Sequence, residues 1–162
     1  MRHIIRLEQD NRVFNYRVAG VIQHNGRVLL HHAEEETFWS LPGGRVELEE
    51  NATTSLQREM LEELDTEVHV GRLLWVTENF FEYLQKNYYE LGLYFLVSLP
   101  DDSPLHKLVE PFTKVEEGLV LTFQWFKLDE LEGLTIFPSF LALALTALPE
   151  TIQHIVHYHG NV

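Results

Sequence analysis

The chain has 162 residues, 45% hydrophobic and 12% aromatic, which suits one globular domain with a sizeable core and excludes a disordered chain. A formal net charge of −13 argues against a surface for duplex nucleic acid, yet leaves room for a small phosphorylated ligand carried with a metal ion. With no cysteine there is neither a disulfide nor a thiolate zinc site, and the chain fits a reducing cytoplasm. The first eight residues turn charged too soon for a secretory signal. The longest apolar run, residues 140–148, falls far short of the roughly 20 residues of a membrane span.

Residues 3–7 read as a short strand, and residues 8–11 as a turn cluster. Residues 13–22 form a longer strand, in which Phe14, Tyr16 and Val18 alternate with Asn15 and Arg17. Asn25 and Gly26 predict a hairpin into a strand over 28–30, since both residues accept positive φ. Residues 31–36 read as a polar loop, with His31 and His32 as surface positions rather than ligands. Phe38, Trp39, Ser40 and Leu41 lead into a turn at Gly43 and Gly44, where the backbone has unusual freedom. Asn51 is an N-cap for a helix over 52–64, with Ala52, Leu56, Met60 and Leu64 as its apolar stripe.

Residues 68–81 and 88–99 are rich in β-formers and predict a hairpin. Residues 100–104, with a proline at each end, break the second strand, and no firm element follows until about Gly118. A connection of that length in a compact domain is often functional. Residues 119–128 predict a strand and 129–131 a short helical turn, and Pro138 opens a second helix to about Leu148. The apolar run 137–148 suits a core helix or a homodimer face. Residues 152–158 read as a terminal strand or a tail. His157 and His159 share a strand face there but His154 does not, which argues against a histidine metal site. The pattern strands, helix, strands, helix is that of an α+β protein, here one domain over 1–162.

Glu59, Glu62 and Glu63 stand at i, i+3 and i+4 of the first helix, hence on one side of it. Three close carboxylates repel one another and raise one another's pKa, so the arrangement calls for a cation. Oxygen donors without sulfur select a hard one, Mg²⁺ or Mn²⁺. Around the helix, Glu63 sits at the edge of the apolar stripe, Glu59 beside it and Glu62 further out. Arg58 is placed for an i, i+4 pair with Glu62.

The order Gly44, five residues, Glu50, seven residues, Arg58, Glu59, Met60, and then Glu62 and Glu63 resembles the Nudix box, the signature of the Nudix hydrolases. Every charged position matches, whereas Asp65 replaces the family glycine and Thr66 an aliphatic residue. The resemblance implies a mixed β-sheet sandwiched between α-helices, an α/β/α fold. It implies metal-dependent hydrolysis of a diphosphate bond in a nucleoside diphosphate linked to another moiety. It assigns Glu59 and Glu63 as principal metal ligands, Glu62 as shared or acting through water, and the Gly44 carbonyl as a neighbour of the ion. Arg58 would orient the helix or a glutamate, and Glu50 would assist from the helix start. The general base stays open between Glu59 and a glutamate from elsewhere, with Glu90, Glu110, Glu116 and Glu117 as candidates. Phe81 stands where ADP-ribose hydrolases of the family tend to carry proline, and Tyr83 where diadenosine polyphosphate hydrolases carry tyrosine. Both are candidate substrate contacts, and their rings are suited to stacking on a base. The alternative is a non-catalytic nucleotide or nucleotide-sugar sensor. Such proteins tend to lose box glutamates or add a DNA-binding domain, and neither feature is present in this sequence.

Overall fold

A computed structural model describes residues 1–161. In chain order they form β1 (Arg6–Gln9), β2 (Arg12–His24), β3 (Arg27–Ala33), β4 (Gly43–Arg45), α1 (Ala52–Leu64), β5 (His69–Tyr83) and β6 (Lys86–Ser98). A 3₁₀ turn (Pro104–Lys107), β7 (Phe112–Glu116), β8 (Leu119–Lys127), a second 3₁₀ segment (Leu128–Gly133), α2 (Leu141–Ala144) and β9 (Gln153–Asn161) follow. The strands run in the order β7-β8-β3-β2-β6-β5-β9, with β1 and β4 paired to β2 off that path. Parallel pairing joins β2 to β6 and β5 to β9, and the remaining pairs are antiparallel, so the sheet is mixed. No helix among the described residues is long and apolar enough to cross a membrane.

The alternation along β2 builds a core on each face. Val18 and Ile22 join Leu56, Met60 and Leu64 of α1 on one side. Ala19 and Val21 join Leu131, Leu141 and Leu145 on the other. The sheet is thus covered on both faces, as the resemblance implies. Helix α1 runs over the predicted residues. Asn51 Oδ1 accepts from the Thr54 N–H at 2.9 Å, and the helix ends at Asp65 with φ 52° and ψ 35°.

Other elements depart from expectation. The first strand is Arg6–Gln9 rather than 3–7, because residues 3–5 bond instead to the segment before α1, with Ile5 N–H donating to Val46 O at 2.8 Å. Strand β3 extends into the first half of the expected polar loop, since His31, His32 and Ala33 pair with Phe123, Thr122 and Leu121 of β8. His31 is therefore buried, not a surface residue. The β5–β6 hairpin narrows to Leu84 and Gln85, both at positive φ. The supposed long loop contains β7, whose polar Thr113 and Lys114 weaken its alternation signal. The expected helix over 138–148 shrinks to α2. Its ends tighten into i→i−3 bonds, Leu141 to Pro138 at one end and Thr146 to Leu143 at the other. The terminal segment is a strand, β9, in register with β5.

Candidate active site

The side of α1 that carries glutamates turns toward the glycine turn. Glu59 and Glu63 are buried at 4% and 3% exposure, while Glu62 is exposed, in the order the helical wheel gives. Glu63 Oε2 accepts from the Gly43 N–H at 3.2 Å. Gly43 has φ +153°, and a Cβ there would meet Val18 O at 2.1 Å. A Cβ on Gly44 would lie 2.2 Å from the Glu59 carboxyl carbon. The turn therefore needs both glycines, one for its path along β2 and one to admit a carboxylate against the backbone.

Arg58 organises the remaining acids. Its Nε and Nη2 donate to the two oxygens of Glu50 at 2.7 and 3.0 Å. Its Nη1 donates to Glu59 Oε1 at 2.7 Å and to Glu62 Oε2 at 3.3 Å. Nη2 also reaches the Arg45 carbonyl at 3.3 Å, tying the helix to β4. The bond from Arg58 holds the Glu50 carboxyl below its usual range.

Glu116, at the end of β7, completes the group. One oxygen each of Glu59, Glu62 and Glu116 lies within 4.8 Å of the others. Burial raises the Glu116 pKa, and the Glu59 charge adds to it. Burial likewise raises Glu59, which Arg58 partly offsets. Glu63 is pushed well up by burial, offset by Arg17 and reinforced by Glu59. Arg2 reaches into the same group, its Nη2 2.5 Å from Glu62 and 3.4 Å from Glu116. An all-oxygen donor set from two elements, repelling internally, with a glycine cradle beneath it, fits a hard divalent cation.

Beside this group a cleft opens over β2, β4, β5 and β6. Arg17 stands opposite Arg45 across β2 and β4, and both line the cleft. Phe81 and Tyr83 line it too, Phe81 stacked on Tyr88 at 4.9 Å. Glu90 lines the cleft and accepts weakly from Asn15 Nδ2 at 3.4 Å, outside the glutamate group. Glu117 turns outward to Arg2 at 3.2 Å, and Glu110 is exposed ahead of β7. Of the glutamates suggested for proton transfer from outside the box, Glu116 is the one brought to the helix. Sequence reading passed over Arg17 and Arg45 as site residues. Their signal is a charge within strand segments that otherwise alternate toward the interior. His31 Nε2 lies 3.2 Å from the Leu41 carbonyl, which holds the approach to the glycine turn, and burial lowers its pKa to about 3. His154 pairs with Glu78 and His157 with Ser139, and the histidines form no three-ligand group among the described residues.

A family model described as a NUDIX domain matches residues 14–144. A MutT-like protein of Streptomyces ambofaciens is 40% identical over 63 residues, 38% of this chain, and the match spans 41% of that protein's length. The crystal structure of an ADP-ribose pyrophosphatase from Streptococcus suis has a TM-score of 0.58 at 16% identity, covering 88% of this chain and 98% of that one. That of a UDP-X diphosphatase has a TM-score of 0.60 at 21% identity, covering 87% of this chain and 66% of that one. At such identities the two structures establish likeness of fold.

Proposed function

We propose a function from one premise: the chain belongs to the NUDIX domain family. The reading is metal-dependent hydrolysis of the diphosphate bond in a nucleoside diphosphate linked to another group. The observation that carries it is the meeting of Glu116 with Glu59 and Glu62 in one oxygen cluster beside a cleft that carries two arginines. Two solved neighbours bear names of the same chemistry, an ADP-ribose pyrophosphatase and a UDP-X diphosphatase.

Glu59, Glu62 and Glu116 would hold Mg²⁺ or Mn²⁺, joined by Glu63 and the Gly44 carbonyl in keeping with the family resemblance. Such an ion neutralises phosphate charge, polarises phosphorus and makes a bound water nucleophilic. Arg58 keeps Glu50 and Glu59 in place, so that the carboxylates need not reorganise. Arg17 and Arg45 take phosphate oxygens in the cleft. Glu116 offers one oxygen to that group, and its second oxygen would take the proton of the attacking water. Phe81 and Tyr83 give the nucleoside an aromatic wall. The reducing cytoplasm suits a chain without cysteine and is where we place the reaction.

The test is release of nucleoside monophosphate or orthophosphate from a panel of nucleoside di- and triphosphates, dinucleoside polyphosphates and nucleotide sugars. Each is assayed with Mg²⁺, with Mn²⁺ and with chelator. Wild type should turn over at least one class with metal, and Glu59→Gln should lose about 10²–10⁴-fold in kcat. Chelator-insensitive release, or none from any class, would overturn the reading.

A further inference from the structure

Three rows of side chains cross the floor of the cleft, one at every second residue of β2. Arg17 faces Arg45. Two residues back along β2, Asn15 stands opposite Glu90 of β6, and Glu90 opposite Asn79 of β5. Two residues further back, Val13 is opposite Tyr88, and Tyr88 opposite Phe81. A strand rises about 3.3 Å per residue, so successive rows lie roughly 7 Å apart. Leading away from α1, the rows are cationic, then hydrogen-bonding, then aromatic. Arg45 directly follows Gly43 and Gly44, whose backbone lies against Glu63 and Glu59, which marks the cationic row as the one beside the glutamate group.

The middle row is an unusual thing to bury. Asn15, Asn79 and Glu90 are 3%, 0% and 7% exposed. Asn15 Oδ1 and both side-chain amide atoms of Asn79 have no hydrogen-bond partner among the described residues. Buried polar atoms are nearly always paired, and three unpaired ones beside a carboxylate weaken a core that had only to fold. Asn15 and Glu90 also line the cleft, so this polar row borders the space a ligand enters.

We propose that Glu90 and Asn15, backed by the buried Asn79, form a subsite for the hydroxyls of a ribose, and that the protein thereby selects ribonucleotides over 2′-deoxyribonucleotides. The proposal rests on the nucleoside diphosphate reading above and deepens it. The three rows follow the order of the substrate's own parts: phosphates at Arg17 and Arg45, sugar at Glu90, base against Phe81 and Tyr88. A carboxylate accepts from two neighbouring hydroxyls at once, and an amide both donates and accepts. Burial raises the Glu90 pKa, which Arg17 and the bond from Asn15 partly offset. A site built to bond a hydroxyl rejects the analogue lacking it, because its buried groups are then left unpaired. Glu90 thus acts in specificity and not as the proton acceptor, since it stands outside the glutamate group.

The experiment pairs ADP, GDP, CDP and UDP with their 2′-deoxy counterparts. Binding is measured by calorimetry in chelator, and kcat/KM wherever Mg²⁺ gives turnover. At least one ribonucleotide should exceed its deoxy partner by about 10²-fold or more. Glu90→Gln should collapse that ratio to a few-fold, through KM rather than kcat. Asn15→Ala serves as the second variant, and the wild-type ratio needs no variant at all. Equal handling of every pair by wild type overturns the subsite, even if turnover upholds the hydrolase. A Glu90→Gln protein with reduced kcat on both partners and an unchanged ratio overturns it as well. Discrimination in binding upholds the subsite even when none of the eight is turned over, and the hydrolase is then decided by the wider panel above. Failure of all eight nucleotides to bind overturns the subsite.

Discussion

Asp65 occupies the left-handed position at the end of α1 where the family pattern carries glycine. That conformation costs most L-residues roughly 1–2 kcal/mol, and aspartate is among the least penalised. Its carboxylate also meets Lys114 of β7 at the surface, a pair that adds little. Asp65→Gly should leave stability within about 1 kcal/mol of wild type, on the neutral or stabilising side, with metal binding intact, whereas Asp65→Val should cost about 1–2 kcal/mol. Urea midpoints and a Mn²⁺ titration check both. His31 gives a pH prediction. Burial lowers its pKa from 6.5 to about 3, so between those values the unfolded chain takes up a proton that the folded chain refuses. Its contribution to stability is complete above the unfolded pKa and falls with acidification, by about 1.4 kcal/mol per pH unit through that window. His31→Gln should flatten the dependence by close to one proton. Unfolding free energies from pH 6.5 to 4.5 measure the difference, and parallel curves would refute it.

At the scale of elements, α1 was readable because three signals agree locally: the Asn51 cap, the apolar stripe and the acidic side. Arg58 is the point at which this helix meets its surroundings, bonded to Glu50, Glu59, Glu62 and the β4 backbone. Arg58→Lys keeps the charge but loses the planar fork. It should lower kcat by about 10–100-fold with a smaller change in KM, as steady-state kinetics on the best substrate will read. Other features were not legible, and for one reason. His31 looked like a loop residue until its pairing with Phe123 on β8 placed it inside. Glu116 could not be told from Glu110 or Glu117, because it joins the helix through the fold of β7 and no spacing records that. The Asn15, Glu90 and Asn79 row likewise exists only in the register of three strands. A nine-residue apolar run such as 140–148 serves a helix or a turn equally well, and bonds between its own neighbours leave a four-residue helix with tight turns at its ends.

For the whole molecule, the glutamate group draws oxygens from α1 and from β7, two elements far apart in sequence. A cation bound between them favours the folded state by mass action, adding about 2.7 kcal/mol at a concentration 100 times its Kd. Melting temperature should therefore climb with Mg²⁺ or Mn²⁺ in wild type and stay nearly flat in Glu116→Gln, as scanning calorimetry will record. An equal rise in the variant would show that the ion binds elsewhere. The outermost strand of this half of the sheet, β9, has a different consequence. It lies along β5 from Trp75 to Glu82, and it belongs to a part of the chain made long after β5. Until that segment has been made, β5 offers an open row of amides and carbonyls to any neighbour emerging from the same messenger. The edge of β5 is then a place where folding competes with association, and the arrival of β9 closes it.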